Sequence, residues 1–396
     1  MNKEDKEEFE EFEDFDEYDD FLDDDFDLEE DYDDFDFEDL EEYEQQERQA
    51  IIEEVKEIAN DKVEKNKVFE QYVEEKDEER LLPFLGPHVV TKKPEEIEKI
   101  SENLKKYIIE NQKEILRENI KYMPDSIIEE IQNVSENGIV EIDFEEDISQ
   151  IVKIAKYELL KRFGMAFMSV EDNKVIIHIP LVKEMKQLIK DPKIMEKQKI
   201  SNEKLHVILG ICEVHGAIKT NKVYQLMKEF YNETEKEQFA RFLLMACGVL
   251  GIGRVKLEEN TGKLLYIYTN WIDEEMANEI LKSNKQVKTY TKEEYLKYGK
   301  ENYIMNTKGY KDLKEQFDSD IFDEDDLFEL LNNLVIPYTI EARMGNKNLK
   351  EIMQSMERQL VDIIGEEGLI ELGLNTKEIE NDLQEIVNEL PKWIQD

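Results

Sequence analysis

Acidic residues are concentrated at the N-terminal end of this chain. Residues 1–48 contain 28 Asp or Glu side chains and three basic ones, a local net charge of −25. The whole chain of 396 residues carries −46, so more than half of the excess charge lies in an eighth of the length. Such a segment repels itself and buries too little apolar surface to fold. We therefore predict a disordered acidic arm over residues 1–48.

Aromatic residues are interleaved with the acids of this arm. It contains ten of the 37 aromatic side chains in the chain. Five of them recur at every third position: Phe9, Phe12, Phe15, Tyr18 and Phe21. The charges keep the rings solvated and steer an approaching partner, and the rings provide burial on binding. The pattern predicts a partner-binding arm that favours a basic protein surface. The alternative is a tail that only improves solubility.

Residues 49–90 are predicted to form a helix and a linker. Apolar residues recur at intervals of three and four over residues 41–76, which is typical of a helix. Residues 81–88 include Pro83, Gly86 and Pro87, so we predict a loop and a boundary there. Pro94 is expected in the first turn of a helix that continues over residues 95–120.

The next two stretches, residues 91–190 and 200–270, have a similar order of elements. In each, helices and a short strand precede two β-rich runs. The first pair of runs is joined at Glu171 to Lys174, and the second at Asn260 to Lys263, where Asn-Thr-Gly supplies turn residues. This order is that of a winged helix, so we predict two winged-helix-like modules.

Residues 271–396 are predicted to be a helical C-terminal region. The candidate helices cover residues 273–283, 291–299, 307–317, 323–336, 346–364 and 376–390. The predicted fold class is therefore mostly α with small β-hairpins. It comprises two winged-helix-like modules and a helical C-terminal region behind the disordered acidic N-terminal arm.

One segment has a charge opposite to that of the whole chain. Residues 282–314 contain nine lysines and four acids, a net charge of +5, with tyrosines interleaved. The candidate basic–aromatic surface consists of Lys285, Lys288, Tyr290, Lys292, Tyr295, Lys297, Tyr298, Lys300, Tyr303, Lys308, Tyr310 and Lys311. Rings that stack on bases and lysines that follow phosphates are typical of a surface for single-stranded nucleic acid. The alternative is a helical connector whose tyrosines pack inside and whose lysines are solvated.

Some short phrases of the sequence resemble a known group. The stretch VKTYTKEEYLKYGKENYIMNTKGYKDLKEQF, the preceding winged-helix-like unit and the closing Leu390-Pro-Lys-Trp393 resemble a group of largely uncharacterised Firmicutes-type cytoplasmic proteins. Many members of that group end in a small cysteine-rich zinc motif of the SEC-C type. The cysteines of that motif are absent here, so zinc is not carried over. The resemblance implies winged-helix-like modules and a cytoplasmic location, and it lends no established activity.

No residue pattern predicts a metal, a cofactor or catalysis. His206 and His215 lie on opposite faces of a predicted helix, and Cys212 lies on its apolar face, so we expect buried thiols rather than metal ligands. Cys247 is interpreted in the same way. Gly251-Ile-Gly253 follows a helix and precedes a strand, which is the reverse of a phosphate-binding loop. We therefore expect a protein that is not an enzyme.

The charge distribution also limits the classes of function. The longest uncharged run, Phe242 to Gly253, has 12 residues, too few to span a bilayer. With no secretory signal, we expect a cytoplasmic protein with no membrane contact. In the second module, the helix that would enter the major groove of DNA begins with Glu233, Glu235 and Glu237. These acids repel phosphate, which disfavours a role in DNA binding.

These observations favour one function and leave another open. We expect a non-enzymatic intracellular adaptor or regulator that acts through protein–protein contacts of its winged-helix-like modules and its acidic–aromatic arm. The identity of its protein partner does not follow from the sequence. The alternative is a nucleic-acid-associated regulator that uses residues 282–314. Its arm would act as an autoinhibitory mimic of phosphate.

Overall fold

The structure is a computed structural model. It describes residues 49–50, 52–90, 92–143, 150–171, 174–232, 235–283, 288–300, 303–317, 324–345 and 376–394. The predicted arm, residues 1–48, and the predicted helix at 346–364 lie outside the described residues. The chain divides between Glu54 and Val55. Before this point the described residues are helical. All elements named below belong to the part from Val55 onwards.

Most of the described residues are helical. The helices of the first half are α1 (Phe69–Glu75), α2 (Glu78–Val90), α3 (Pro94–Ser101), α4 (Leu104–Ile120), α5 (Asp125–Asn133), α6 (Gln150–Arg162), α7 (Val182–Ile189) and α8 (Pro192–His215). Those of the second half are α9 (Thr220–Tyr231), α10 (Lys236–Gly248), α11 (Glu274–Ser283), α12 (Lys292–Tyr298), α13 (Lys308–Phe317), α14 (Glu324–Arg343) and α15 (Thr376–Glu389). A 3-10 turn, Ile304–Asn306, lies between α12 and α13.

The strands form two small antiparallel sheets of three strands each. They are β1 (Ile139–Asp143), β2 (Phe167–Glu171), β3 (Lys174–His178), β4 (Ala217–Lys219), β5 (Arg254–Leu257) and β6 (Leu264–Tyr268). The strand orders are β1-β3-β2 and β4-β6-β5. In both sheets the last strand lies in the middle, between the single strand and its hairpin partner. The predicted strand and hairpin are therefore confirmed in each of the two stretches.

The predicted helix over residues 41–76 is wrong as a continuous element. Residues 52–58 are helical, and the chain then leaves the helix until α1 begins at Phe69. The reason is pairing with the first sheet. Asn60 forms a bridge with Ser169, and the backbone N–H of Asp61 donates to Met168 O over 2.8 Å. These contacts across the sequence override the local helical pattern.

The predicted loop at residues 81–88 is also wrong, because these residues lie inside α2. Pro83 and Pro87 are both within this helix. Leu81, Phe84 and Leu85 are at most 4% exposed, so tertiary burial stabilises the helix despite the two missing N–H donors. The predicted helix over 95–120 begins with Pro94 in its first turn, as expected, but a break separates α3 from α4.

The long helix α8 positions the second half of the molecule. Its first turn contains Pro192, and the side chain of Asp191 accepts a hydrogen bond from Lys193 N over 2.9 Å. The helix ends at Gly216, whose φ is 66°. Its apolar side packs with α9, α10 and β6 in one core, to which Val90 of α2 also belongs.

The C-terminal helices have a core of their own. It is formed by apolar side chains of α13, α14 and α15. A smaller cluster joins the second sheet and α11 to Trp393, which is 1% exposed. The end of the chain therefore returns to the second sheet, and the region between them contains the site described next.

Candidate functional site

Two glycines bring α12 into backbone contact with α8. A Cβ atom at Gly210 would lie 1.9 Å from Tyr295 O, and one at Gly299 would lie 1.8 Å from His206 O. No other residue type fits at either position without displacement of a helix. The Nδ1–H of His206 donates to Gly299 O over 2.8 Å, and Lys292 forms an ion pair with Glu203 at 2.6 Å. This contact holds the lysine- and tyrosine-rich segment firmly against α8.

A buried hydrogen bond ties the middle of α12 to the end of α8. His215 Nε2 and the Tyr295 hydroxyl are 2.9 Å apart, and both residues are buried. Burial lowers the pKa of His215 to about 4 and raises the pKa of Tyr295 to about 12. Both groups are therefore neutral near pH 7, which suits a pair that lies away from water.

The structure corrects the predicted basic–aromatic surface at two positions. Tyr295 and Tyr310 are 0% and 4% exposed, so both belong to the core. Their burial follows from helical phase, since each ring faces the helices against which its own helix packs. Tyr290, Tyr298 and Tyr303 are half-buried. The rings of Tyr298 and Tyr303 pack edge to face with centroids 4.6 Å apart.

The lysines of this segment lie at the surface, but they differ in their partners. Lys308 forms ion pairs with Asp312 at 2.5 Å and with Glu385 at 2.9 Å, and Lys292 pairs with Glu203 as above. The exposed lysines are Lys288, Lys297, Lys300, Lys308 and Lys311, and Lys292 is half-buried. Lys285 lies outside the described residues. Within the described part of the chain, Lys297 and Lys300 have no acidic partner.

A cavity of about 320 Å³ opens beside these two lysines. It is lined mostly by apolar and aromatic side chains from α8, α12, the 3-10 turn, α14 and the chain after β6. The lining residues are Leu209, Glu213, Trp271, Tyr298, Lys300, Tyr303, Ile304, Met305, Asn332, Ile336, Arg343 and Leu390. We call it the Trp271 cavity, because the Trp271 side chain is 44% exposed at its edge. Lys297 does not line the cavity, but its Nζ lies 5.3 Å from the ring of Tyr303, which does.

Arg343 and Glu213 form the polar end of the Trp271 cavity. Arg343 is 3% exposed, and its guanidinium donates to the backbone carbonyls of Glu213 and Pro391, the latter over 2.9 Å from Nε. Its Nη1 lies 3.8 Å from the Glu213 carboxylate, and the guanidinium lies 3.9 Å from the Trp393 ring centroid. Burial lowers the pKa of Arg343 to about 10, and Glu213 opposes that shift, so the guanidinium remains charged near pH 7.

Glu213 holds both tryptophans of the chain. Trp271 Nε1 donates to its carboxylate over 3.0 Å, and Trp393 Nε1 donates to its backbone carbonyl over 2.9 Å. The Thr269 hydroxyl donates to the same carboxylate oxygen as Trp271, over 2.8 Å. The Trp271 ring is therefore oriented at the mouth of the cavity. Sequence reasoning missed this group, although the presence of only two tryptophans was a usable signal.

The described residues include two further clusters, a pair of buried cysteines and a group of three carboxylates. Cys212 and Cys247 are buried, and burial raises the pKa of the Cys212 thiol well above its usual range and that of Cys247 to about 12. These are poor nucleophiles and poor metal ligands. Carboxylate oxygens of Asp312, Asp382 and Glu385 lie within 4.8 Å of one another, and Lys308 pairs with two of them.

Helix α10 is in contact with α2 along one side. The guanidinium of Arg241 donates to Lys92 O over 2.8 Å and to Val90 O over 3.3 Å. Further along the helix, a Cβ at Gly86 of α2 would lie 3.7 Å from Met245 Cγ, so α2 and α10 are in close contact. This helix is the one that the sequence placed at the DNA-reading position of the second module.

Comparisons with protein-family models, with curated proteins and with solved structures find no match to this chain. The resemblance to the Firmicutes-type group therefore stays a prediction. Among the residues that the structure describes, no helix has the length and apolar character needed to cross a membrane.

Proposed function

We propose that this protein is a non-enzymatic adaptor that docks a partner protein at the Trp271 cavity. The observation that carries the proposal is an apolar cavity of about 320 Å³ with a partly exposed tryptophan at its edge. Partly exposed aromatic side chains in a concave, mostly apolar site are typical anchors of protein–protein binding. The acidic–aromatic arm, residues 1–48, is the second docking element of this proposal.

Each three-stranded sheet is, in this proposal, part of a winged-helix-like module. The single strand lies beside the last strand in both sheets, and a hairpin closes each one. In the second module, α9 and α10 lie between β4 and the hairpin of β5 and β6, which is the element order of a winged helix. Winged helices serve in protein docking as well as in DNA binding, so the fold alone does not decide the role.

The acids at the start of α10 support protein docking over DNA reading. A helix that reads bases enters the major groove with one face open. Here α2 packs against one side of α10 through Arg241 and Met245, while Glu237 and Leu244 on another side of the helix are exposed. Glu235 and Glu237, at the start of α10, would repel the phosphates of DNA.

The packing of the tyrosines weighs against the nucleic-acid alternative. Stacking of bases needs aromatic faces that are open to solvent. Tyr295 and Tyr310 are in the core, and the Tyr298 and Tyr303 rings pack against each other. The arrangement fits the other interpretation of residues 282–314, a helical connector with solvated lysines.

Affinity capture with the full chain tests the proposed function. A bound protein should survive nuclease treatment, be lost with Trp271→Ala, and be kept with Ile200→Ala. Ile200 is a matched control, since it is 50% exposed and does not line the cavity. Capture that nuclease abolishes, or that is equal for both variants, would contradict the proposal. Urea unfolding of both variants checks that the fold is retained.

A further inference from the structure

Two lysines lie at or next to the Trp271 cavity, although the chain as a whole is strongly negative. Lys300 lines the cavity, and Lys297 Nζ lies 5.8 and 5.3 Å from the Tyr298 and Tyr303 rings. Neither lysine has an acidic partner among the described residues. Two other lysines of the segment, Lys292 and Lys308, are already paired with acids. The two ammonium groups are therefore available to an anionic ligand.

The polar end of the cavity does not offer a cation that an anionic ligand could bind. The Arg343 guanidinium is buried, and two backbone carbonyls and the Glu213 carboxylate share its charge. The Glu213 carboxylate itself accepts hydrogen bonds from Thr269 and Trp271. A carboxylate that entered this end would meet Glu213 and be repelled. An occupant should thus be apolar inside the cavity and negative outside it.

The size and the lining of the cavity specify the apolar part. Trp271, Tyr298 and Tyr303 present aromatic surface, and Ile304 and Met305 complete a soft apolar wall. Aromatic rings prefer edge-to-face and offset contacts with one another, and a methionine sulfur adds favourable contact with a ring. A volume of about 320 Å³ admits one large aromatic side chain with its backbone attachment.

We propose that the Trp271 cavity binds an acidic segment of a partner protein, with one aromatic side chain inserted and the flanking carboxylates paired with Lys297 and Lys300. This inference rests on the proposed function and adds the chemistry of the partner. Charge complementarity is the reason for the choice, since Lys300 lines the cavity and Lys297 lies beside the Tyr303 ring. The carboxylates of the segment steer its approach to the cavity, and burial of the inserted ring provides most of the binding free energy.

A fluorescent peptide tests the chemistry directly. The probe is a synthetic peptide FEEFEDFDEYDDF, the sequence of residues 9–21, which has the required spacing of rings and acids. One control peptide has all five rings replaced by Ala, and the other has every acid replaced by Asn or Gln. Anisotropy titration of the full chain should show binding of the first peptide alone. Higher salt should weaken this binding, because the ammonium–carboxylate contacts are exposed.

Variants of the full chain locate the binding. Trp271→Ala should weaken the binding of the peptide by about tenfold or more, as expected for a central aromatic anchor. Lys297→Gln and Lys300→Gln should each weaken it by about three- to fivefold, a typical loss for an exposed ion pair. Ile200→Ala and Lys228→Gln are the matched controls, since both positions are exposed and outside the cavity, and their affinities should stay within about twofold of the parent.

Four results would overturn the proposal. The first is equal binding of the ring-free peptide, and the second is absence of binding at millimolar peptide. The third is a single-stranded oligonucleotide that binds with the same dependence on Trp271, which would identify a nucleic acid as the occupant. The fourth concerns the chain's own arm. If replacing its five rings by Ala in the full chain strengthens peptide binding by about tenfold, the occupant is that arm and not a partner.

Failure of this inference is distinguishable from failure of the proposed function. Peptides that do not bind, together with protein capture that still depends on Trp271, would overturn the acidic–aromatic chemistry alone. Capture that is independent of Trp271 would overturn the docking function itself, whatever the peptides do.

Discussion

Replacement of Gly299 by Ala tests the contact that holds α12 on α8. Ala is compatible with the backbone at this position, where φ is −87° and ψ is 3°, so the substitution adds no conformational strain. The obstacle is entirely steric. The new Cβ would lie 1.8 Å from His206 O and 2.8 Å from Gly210 N, and both of these are backbone atoms that cannot rotate away.

The size of the effect follows from how far the helices have to separate. A Cβ contact shorter than 3.0 Å is essentially never tolerated, so the backbones must part by at least 1.2 Å, the difference between 3.0 and 1.8 Å. This separation would stretch the 2.8 Å hydrogen bond from His206 to Gly299 and disturb the bond between His215 and Tyr295. Overpacking costs about 1–3 kcal/mol, and each buried hydrogen bond left unmade costs a further ~1–3 kcal/mol. We expect a loss of about 3 kcal/mol or more in the free energy of unfolding.

The assay is urea unfolding followed by circular dichroism, with Gly248→Ala as the matched control. Gly248 lies at the end of α10, and a Cβ there would meet nothing within 4 Å. The control should gain about 0.5–1 kcal/mol, because Ala favours a helix more than Gly does. Gly210→Ala should behave like Gly299→Ala, since its Cβ would lie 1.9 Å from Tyr295 O. If Gly299→Ala unfolds at the same urea concentration as the parent, the close approach of the two helices is refuted.

Three further predictions concern groups close to this contact. His215 has a folded-state pKa of about 4 against an ordinary value of 6.5, so the unfolded chain binds more protons in this window. Stability should fall as pH drops from 6.5 towards 4, by at most about 3 kcal/mol from this group, and His215→Gln should flatten urea unfolding measured across that range. Cys212 and Cys247 should resist thiol labelling at pH 8 in the folded protein and react after unfolding in urea, and rapid labelling of the native chain would contradict their burial. Arg343→Met should destabilise the fold by about 3 kcal/mol, because it removes the buried cation between Glu213 and Trp393, whereas Arg117→Met at an exposed position should stay within about 0.5 kcal/mol.

The sequence predicted the elements whose signals are local. The hairpins of both sheets follow from β-rich runs around short turns, at Glu171 to Lys174 and at Asn260 to Lys263. The start of α3 follows from Pro94, whose fixed φ suits the first helical turn. These signals act within a few residues, so no distant partner is needed to interpret them.

Predictions failed where a distant part of the chain overrides a local preference. Two prolines and a glycine predicted a loop at residues 81–88, but burial of Leu81, Phe84 and Leu85 keeps α2 helical. The helical spacing of residues 41–76 does not produce a continuous helix, because the backbone of Asp61 pairs with Met168 of the first sheet instead. In both cases the deciding contact joins residues that are far apart in the sequence.

The candidate site depends even more on tertiary contacts. The sequence by itself determined the composition of residues 282–314, namely lysines and tyrosines interleaved on short helices. It favoured a packed connector and left a nucleic-acid surface as the alternative. Only the fold decides which tyrosines are buried, because the contact of Gly299 with Gly210 turns Tyr295 towards His215. The Trp271 cavity likewise exists because Arg343 and Trp393 return to Glu213 from more than a hundred residues away. The sequence states which side chains are present, but packing in three dimensions decides which of these distant residues lie close together.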